Sequence, residues 1–396
     1  MQEANIKLSD RIRVAIRQPL NLKKYGFNRL TACLSKTYDR LMFWTDRILS
    51  RLLVPVCDVY LAACPTRTSV VDVMLCMYKY SGDTGQESIE KFVLEDTLVN
   101  YIGDQERIII HYWDVDQPLF SFGLNFYMKV RLAKPKNLVI SSYSANAFYQ
   151  PMPWLLNRLK SPNIRSIALW FDTCGPGFAN AIRPLIETMN VHGIMENPTL
   201  NFGNSESAVL LSQRSRSLFC GFDLEFKDLP RTIPVAFFGQ TSDYRSTRKI
   251  YLDFLLEHGV PLYYSAYDKL QQCSHKKYYE ILSRARIGIN FAMSTDVYQL
   301  KARVFETMHA GALLLEERNE QTAFYFSEDI DYVAYSSKEE LLEKIQYYLA
   351  NEAARNKIAL AGNLRAKRLF NGSQFWKMAF ADNSELEAGR LIQLPV

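Results

Sequence analysis

Residues 299–317 read QLKARVFETMHAGALLLEE. From 302 to 310 the residues suit a helix, because Val304, Phe305 and Met308 recur at spacings of three and four and give it one apolar face. Gly311 fits the left-handed position that follows a last helical turn, and the apolar run 312–315 reads as a short buried strand. Lys301, Arg303 and Glu306 then gather on the first turns. A helix N-terminus presents N–H groups and the positive end of the dipole, so a Lys and an Arg beside it make a seat for a diphosphate. Glu306, a turn further in, can accept two hydrogen bonds from a ribose diol. The competing reading is an amphipathic helix whose acid and bases are only solvated. His309, three residues after Glu306, shares its face, which puts it near a ligand or, as the preferred reading, leaves it packed or solvated.

On either side of this stretch the chain alternates strand-like and helix-like segments. Upstream, strands are expected at 12–16, 57–62, 107–112, 137–141, 164–171 and 208–211. Helices are expected at 28–53, 68–80, 86–101, 117–132 and 152–160, with a helix and short strand in 183–197. The polar, proline-containing GFDLEFKDLPRTIP (221–234) reads as a linker. After it the rhythm restarts, with strands at 235–238, 261–265, 287–291 and 332–335 and helices at 246–258, 276–284, 321–326, 337–350 and 352–370. Such alternation predicts an α/β fold of two tandem Rossmann-like, doubly wound domains with a cleft between them. The expected division is 1–225, 226–372 and a tail, 373–396, whose Phe375, Trp376, Met378 and Phe380 pack back on the first domain. Ligands of parallel sheets sit outside the strands' carboxyl ends, and both HYWDVD (111–116) and FDTCGPG (171–177) fall at such ends.

The chain has 396 residues, 48% of them apolar, enough for two packed cores. Its net charge of +5 is uneven: residues 1–51 hold eleven Lys/Arg against four Asp/Glu, which leaves the remainder at −2. A basic N-terminal segment suits an anionic neighbour such as a membrane surface, a lipid-linked acceptor or nucleic acid, or else is a solvated helix face. Leu41, Trp44, Ile48 and Leu52 form an apolar stripe there, with Arg40, Arg47 and Arg51 off it. Packing on the protein's own sheet is preferred to membrane contact. The seven cysteines are scattered without a C-x-x-C pair, which points to reduced thiols in a cytoplasmic setting and against a disulfide framework. The five histidines are dispersed, and no signal-peptide or membrane-spanning run is present.

Several pieces of 165–370 carry a family resemblance: IALWFDT, VAFFGQTSDYRSTRKIYLDFLLEHGV, ARIGINFA, the 299–317 stretch, and SSKEELLEKIQYYLANEAARNKIALAGNLRAKRLF. Together they resemble spore-maturation-type glycosyltransferases and the wider GT-B enzymes with a "glycosyl transferases group 1" C-terminal domain. Residues 1–160 resemble them only in their alternation. The resemblance implies that the second domain binds a nucleotide diphosphate-sugar. The backbone at Gly239 and Gln240 would approach the diphosphate, Arg245 or Arg248 would assist, Lys301 and Arg303 would flank the charge, and Glu306 would hold the ribose. Asp114 and Asp116 have Asp-x-Asp spacing, but the resemblance puts them in the acceptor domain, so no metal and no cofactor is assigned.

One departure bears on mechanism. Many retaining relatives carry Glu-x7-Glu here, with Glu306 as the second acid, whereas this chain has Tyr298 at the first position. An inverting enzyme would need a base in the first domain, for which His111, Asp114, Asp116 and Asp172 are candidates. The expected activity is sugar transfer to a carbohydrate or lipid-linked acceptor in surface glycan synthesis, by a cytoplasmic or membrane-peripheral protein that does not bind nucleic acid. The alternatives are an inverting exostosin- or fucosyltransferase-like enzyme and a GT-B-like subunit without catalysis.

Overall fold

The computed structural model describes residues 45, 48–59, 61, 71–79, 87–113, 122–142, 153–171, 177–194, 205–217, 229–239, 241, 246–266, 275–294 and 297–381. The chain forms two compact units, Met1–Arg67 with Gln117–Leu132, and Thr68–Asp116 with Ala133–Val396. The expected strand at 12–16 and the first part of the expected helix 28–53 lie outside the described residues.

In the first unit, residues 48–59 form a helix, so the strand expected at 57–62 is not formed in its described part. Where it is described, at Ile48 and Leu52, the apolar stripe does not turn inward. Ile48 is 58% exposed and Leu52 65%, and the same face continues through Val56 at 63% and Val59 at 75%. The buried side carries Ser50 and Val54 instead, which corrects the expectation of core packing for this stripe. A second helix, Phe122–Ala133, places the Tyr127 hydroxyl as a donor to Asp58.

Both sheets belong to the second unit. The first has six parallel strands, β1 (Val73–Met77), β2 (Ile108–Tyr112), β3 (Asn137–Ser142), β4 (Arg165–Trp170), β5 (Val191–Ile194) and β6 (Ser215–Ser217), in the order β2-β1-β3-β4-β5-β6. Two expectations are corrected here. Residues 73–77, VMLCM, are a strand rather than part of a helix, and all five are buried. A short run that is apolar throughout carries no periodicity to separate a buried strand from a buried helix. Residues 208–211 belong to a helix, Glu206–Arg214, not a strand. Ser205 starts it by accepting a hydrogen bond from the Ala208 N–H at 3.2 Å.

The second sheet has five parallel strands, β7 (Ile233–Gly239), β8 (Leu262–Ala266), β9 (Ala285–Asn290), β12 (Leu313–Glu317) and β13 (Val333–Tyr335), in the order β13-β12-β9-β7-β8. A two-residue hairpin pairs β10 (Met293–Ser294) with β11 (Val297–Tyr298) in what the sequence reads as plain loop. Two doubly wound parallel sheets make the α/β, Rossmann-like architecture expected from the alternation.

The last described helix, Gly372–Phe380, is held by side chains from the first sheet's half of the unit. Its Trp376 indole N–H donates to the Thr97 hydroxyl at 2.9 Å, and both residues are buried. At the helix C-terminus, Arg216 donates to the carbonyls of Met378 and Ala381 at 2.9 and 2.8 Å, and Arg165 to Phe380 at 2.7 Å. Two guanidinium groups thus meet the negative end of the helix dipole and its last carbonyls. Trp376 belongs to one apolar cluster with Val139 and Ile167 of the first sheet and Phe305 and Leu314 near the second. Trp376→Ala is expected to destabilise the protein by about 3–5 kcal/mol. Chemical denaturation reads this directly, and a loss below about 1 kcal/mol would show that the helix does not tie this core together.

Candidate functional site at the end of the second sheet

In the second sheet the chain leaves β7, adds β8 on one side, and then crosses to add β9 on the other. The order therefore reverses between β7 and β9. Crossover helices leave such a point in opposite directions, which opens a crevice outside the carboxyl ends of the two strands. Those ends are Gly239 and Asn290.

The helix Ala302–His309 begins beside this crevice, and Gly311 follows it with φ of 71°, as the left-handed turn required. Arg303 reaches back from the first turn. Its Nε donates to Oδ1 of Asn290 at 2.9 Å, and its guanidinium lies 5.7 Å from the centre of the Phe237 ring. Gly239 leaves room for that guanidinium. A Cβ at position 239 would stand 3.0 Å from Arg303 Nη1 and 2.9 Å from Phe237 Cζ. The strand β7 ends in a glycine because a larger residue would displace the arginine.

Lys301 precedes the helix in an extended conformation and donates through Nζ to Gln299, which is buried. Glu306 is buried on the inner side of the helix and accepts a hydrogen bond from the Tyr278 hydroxyl. Burial pushes the Glu306 carboxyl above its ordinary range, while Tyr278 and the Arg303 charge pull it back. Burial, reinforced by Glu306, also keeps the Tyr278 phenol protonated well above its usual range.

Of the remaining sequence candidates, Arg248 is buried and donates to the carbonyls of Phe291 and Met293, 3.4 and 3.3 Å away. It braces the chain just after β9. Gln240, Arg245, Asp114, Asp116 and Asp172 lie outside the described residues. His111 is fully buried on β2, edge-on to Trp113 with ring centres 4.8 Å apart, and among the described residues β2 is the edge strand of the first sheet. The structure thus brings Gly239, Arg303 and Glu306 together and sets His111 on a different sheet. Tyr298 lies on β11, where it is paired with Met293 and partly exposed.

The sequence reading missed Asn290, Glu316 and Tyr278. Asn290 and Glu316 are fully buried neighbours on β9 and β12, and a polar residue ending an apolar strand run was the available signal. It also missed Glu90, a buried acid that accepts from the Tyr78 N–H at 3.1 Å and from the Ser141 hydroxyl. Glu90 thereby joins the ends of β1 and β3, where the first sheet reverses its order.

His309 packs in the core rather than facing the crevice. Burial, helped by the Lys367 charge and opposed by hydrogen bonds to the backbone of Phe370 and Ala366, lowers its pKa to about 4, and burial lowers that of His192 to about 4 as well. An imidazole held neutral in the folded state binds fewer protons than in the unfolded chain between its folded and ordinary values. Stability contributed by these two groups is therefore present above about pH 6.5 and lost as pH falls towards 4. Replacing either by Gln is expected to make the stability profile shallower in that window. Denaturant midpoints at pH 4.5, 5.5 and 7 test this, and parallel profiles for wild type and both variants would refute it.

Residues 233–376 match the family described as glycosyl transferase-like, a span running from β7 into the helix of Trp376. No curated protein sequence matches the chain. Among solved structures, HepE of Anabaena in complex with UDP is similar with a TM-score of 0.54 and 8% identity, over 80% of this chain and 100% of that one. An alpha-glucosyltransferase in complex with UDP-glucose and DNA containing an abasic site gives a TM-score of 0.51 at 12% identity, over 79% and 99%. Sucrose-phosphate synthase from Thermosynechococcus elongatus gives 0.51 at 12%, over 81% and 98%. The chain has the two-sheet GT-B fold, and its second half resembles the group 1 glycosyltransferase domain, as the motifs between 165 and 370 imply.

Proposed function

We propose that the protein is a glycosyltransferase that takes a sugar from a nucleotide diphosphate donor. The observation that carries this reading is the Arg303 guanidinium, tied to Asn290 and lying against Gly239 at the reversal point of the second sheet, within the span that matches the glycosyl transferase-like family. Negative charge builds on the leaving diphosphate as the glycosidic bond breaks, and a fixed cation beside a helix N-terminus stabilises it. In this reading Arg303, Lys301, the helix start and the backbone at Gly239 and Gln240 receive the diphosphate without a metal ion. Glu306 takes the ribose diol in place of its present partner Tyr278. Arg248 contributes by shaping the chain after β9, and Arg245 is the further cation that the family resemblance assigns to the diphosphate.

The acceptor is a carbohydrate or lipid-linked glycan, and Asp114 or Asp172 receives the proton of its hydroxyl. His111 is the weakest of the candidates, because its ring is buried against Trp113. UDP and UDP-glucose in complexes of similarly folded proteins support uridine diphosphate as the first donor nucleotide to test. The protein is expected to work in the cytoplasm at a membrane surface. The exposed apolar stripe Ile48, Leu52, Val56 and Val59, which follows on residues 1–51 of net charge +7 and stands beside Arg51, supports that placement. Among the described residues no helix is long and apolar enough to cross a membrane.

A thermal-shift panel of nucleoside diphosphates tests the donor site. At 100 times its dissociation constant a ligand adds about 2.7 kcal/mol to stability. At least one diphosphate should therefore raise the Tm, and Arg303→Ala, Glu306→Ala and Gly239→Ala should each abolish most of the rise. A full rise in all three variants would place the nucleotide elsewhere. For the membrane surface, the protein should float with vesicles containing phosphatidylserine and sink with neutral ones. Val56→Glu with Leu52→Glu should sink in both cases, and flotation that this pair leaves unchanged would dismiss the stripe as the anchor.

A further inference from the structure

We propose that Glu316 is a positioning residue for the diphosphate seat, orienting the Asn290 amide so that its oxygen faces Arg303. This rests on the reading of that crevice as a nucleotide site. Glu316 and Asn290 are both fully buried and stand opposite each other in the register of β12 and β9. The Asn290 oxygen accepts from Arg303, so the amide nitrogen is left for the Glu316 side. Asn290 Nδ2 and Glu316 Oε2 are both buried and neither has a hydrogen-bond partner, while the Asn290 amide is near enough to favour the Glu316 carboxylate. The far oxygen of Glu316 is fixed from behind, accepting from Asn319 Nδ2 and the Thr322 hydroxyl at 3.2 Å each. Asn319 is locked in turn, because its oxygen accepts from the Thr322 N–H at 2.8 Å as the helix cap of Glu320–Tyr325. A row of buried polar groups therefore leads from that cap to Glu316, across the strand pair to Asn290, and on to the guanidinium. Removing the acceptor at 316 frees the amide to flip and present its nitrogen to Arg303, where two donors repel.

The charge state of Glu316 matters because the acid sits near Arg303. Burial pushes the carboxyl up to about 8, against the opposing effects of the Asn290 amide, the Thr322 hydroxyl and Arg303, with Glu317 adding to the rise. Tyr332 and Tyr335 also face it, and both phenols are held well above their ordinary range. Among these groups Glu316 is the one that changes charge near pH 8. Below that it is neutral, and the Arg303 charge is available to an anionic ligand. Above it a buried carboxylate competes for the same cation. The phosphates of a nucleoside diphosphate are almost fully ionised by about pH 7, and the uracil and guanine ring N–H groups ionise only above about pH 9, so a comparison kept below pH 9 reads the protein.

The experiment is calorimetric titration of uridine diphosphate, with guanosine diphosphate as second probe, at pH 7.0, 8.0 and 8.8. Proteins compared are wild type, Glu316→Gln, Glu316→Leu and Arg303→Ala. Wild-type affinity is expected to fall roughly fivefold across the range. Glu316→Gln, a permanently neutral acceptor, should match wild type within about twofold at pH 7.0 and stay level to pH 8.8. Glu316→Leu should bind about tenfold more weakly at every pH. Wild-type affinity in Glu316→Leu, or a pH dependence that survives in Glu316→Gln, would overturn the proposal. Absence of binding by wild type, or binding that Arg303→Ala leaves intact, would instead remove the nucleotide-site reading on which it rests.

Discussion

A cation held in a protein crevice must be both aimed and left able to attract a ligand, and these demands conflict. A carboxylate aims an arginine well but cancels its field, whereas a neutral amide aims it without doing so. At the end of the second sheet the Arg303 Nε hydrogen bond goes to Asn290, an amide. This contact fixes what its neighbours must be. β7 must end in Gly239 to admit the guanidinium, the helix Ala302–His309 must start at that height, and β9 must end in a residue carrying an amide oxygen. Even the position of Asn290 is set twice, since its backbone carbonyl accepts from the Tyr335 hydroxyl at 2.7 Å.

The supporting structure follows from burial. The helix that carries Arg303 turns Val304, Phe305 and Met308 into an apolar cluster, and Phe305 stacks on Phe370 with ring centres 4.7 Å apart. An arginine near the start of a helix whose other face is locked in a core cannot drift with the helix. Arg231 closes the opposite end, donating to the Ala310 carbonyl at 2.6 Å and to Ala285 at 3.0 Å, so the last turn is joined to the start of β9. Helix and strand are thus pinned at both ends, which holds Arg303 and Asn290 in the relation that their hydrogen bond needs.

How much of this could be read in advance depended on what kind of signal each part left. The helix 302–309, the left-handed Gly311 and the strand after it were legible because three- and four-residue spacing, a glycine and an apolar run coincide there. The strand β1 was misread because VMLCM is apolar at every position, so burial on both faces erased the alternation that distinguishes a strand. The stripe through Ile48 and Leu52 was legible as a pattern but not in its direction, since a 3.6-residue period says which residues share a face and not whether water or core meets it. In the candidate site, charged residues announced themselves and the amide did not. Asn290 closes ARIGIN, and its role depends on β9 lying beside β7, a non-local pairing between residues far apart in sequence.

Glu306 and Glu316 show why position on this helix–strand unit decides chemistry. Both are buried acids within one short segment, and burial raises both carboxyls. Their opposing influences differ. Glu306 has a phenol donor in Tyr278 and the charge of Arg303 on its own helix, each of which favours the anion. Glu316 has amide and hydroxyl partners and a second acid, Glu317, directly after it, so burial prevails and the carboxyl reaches about 8. Two acids with similar solvent exposure are thereby separated by their neighbours into one suited to accept hydrogen bonds from a ligand and one suited to stay neutral behind the cation. Their separation lets a single arginine serve the crevice: an anionic Glu316 would sit behind Arg303 and draw its charge inward, away from the diphosphate it is arranged to meet.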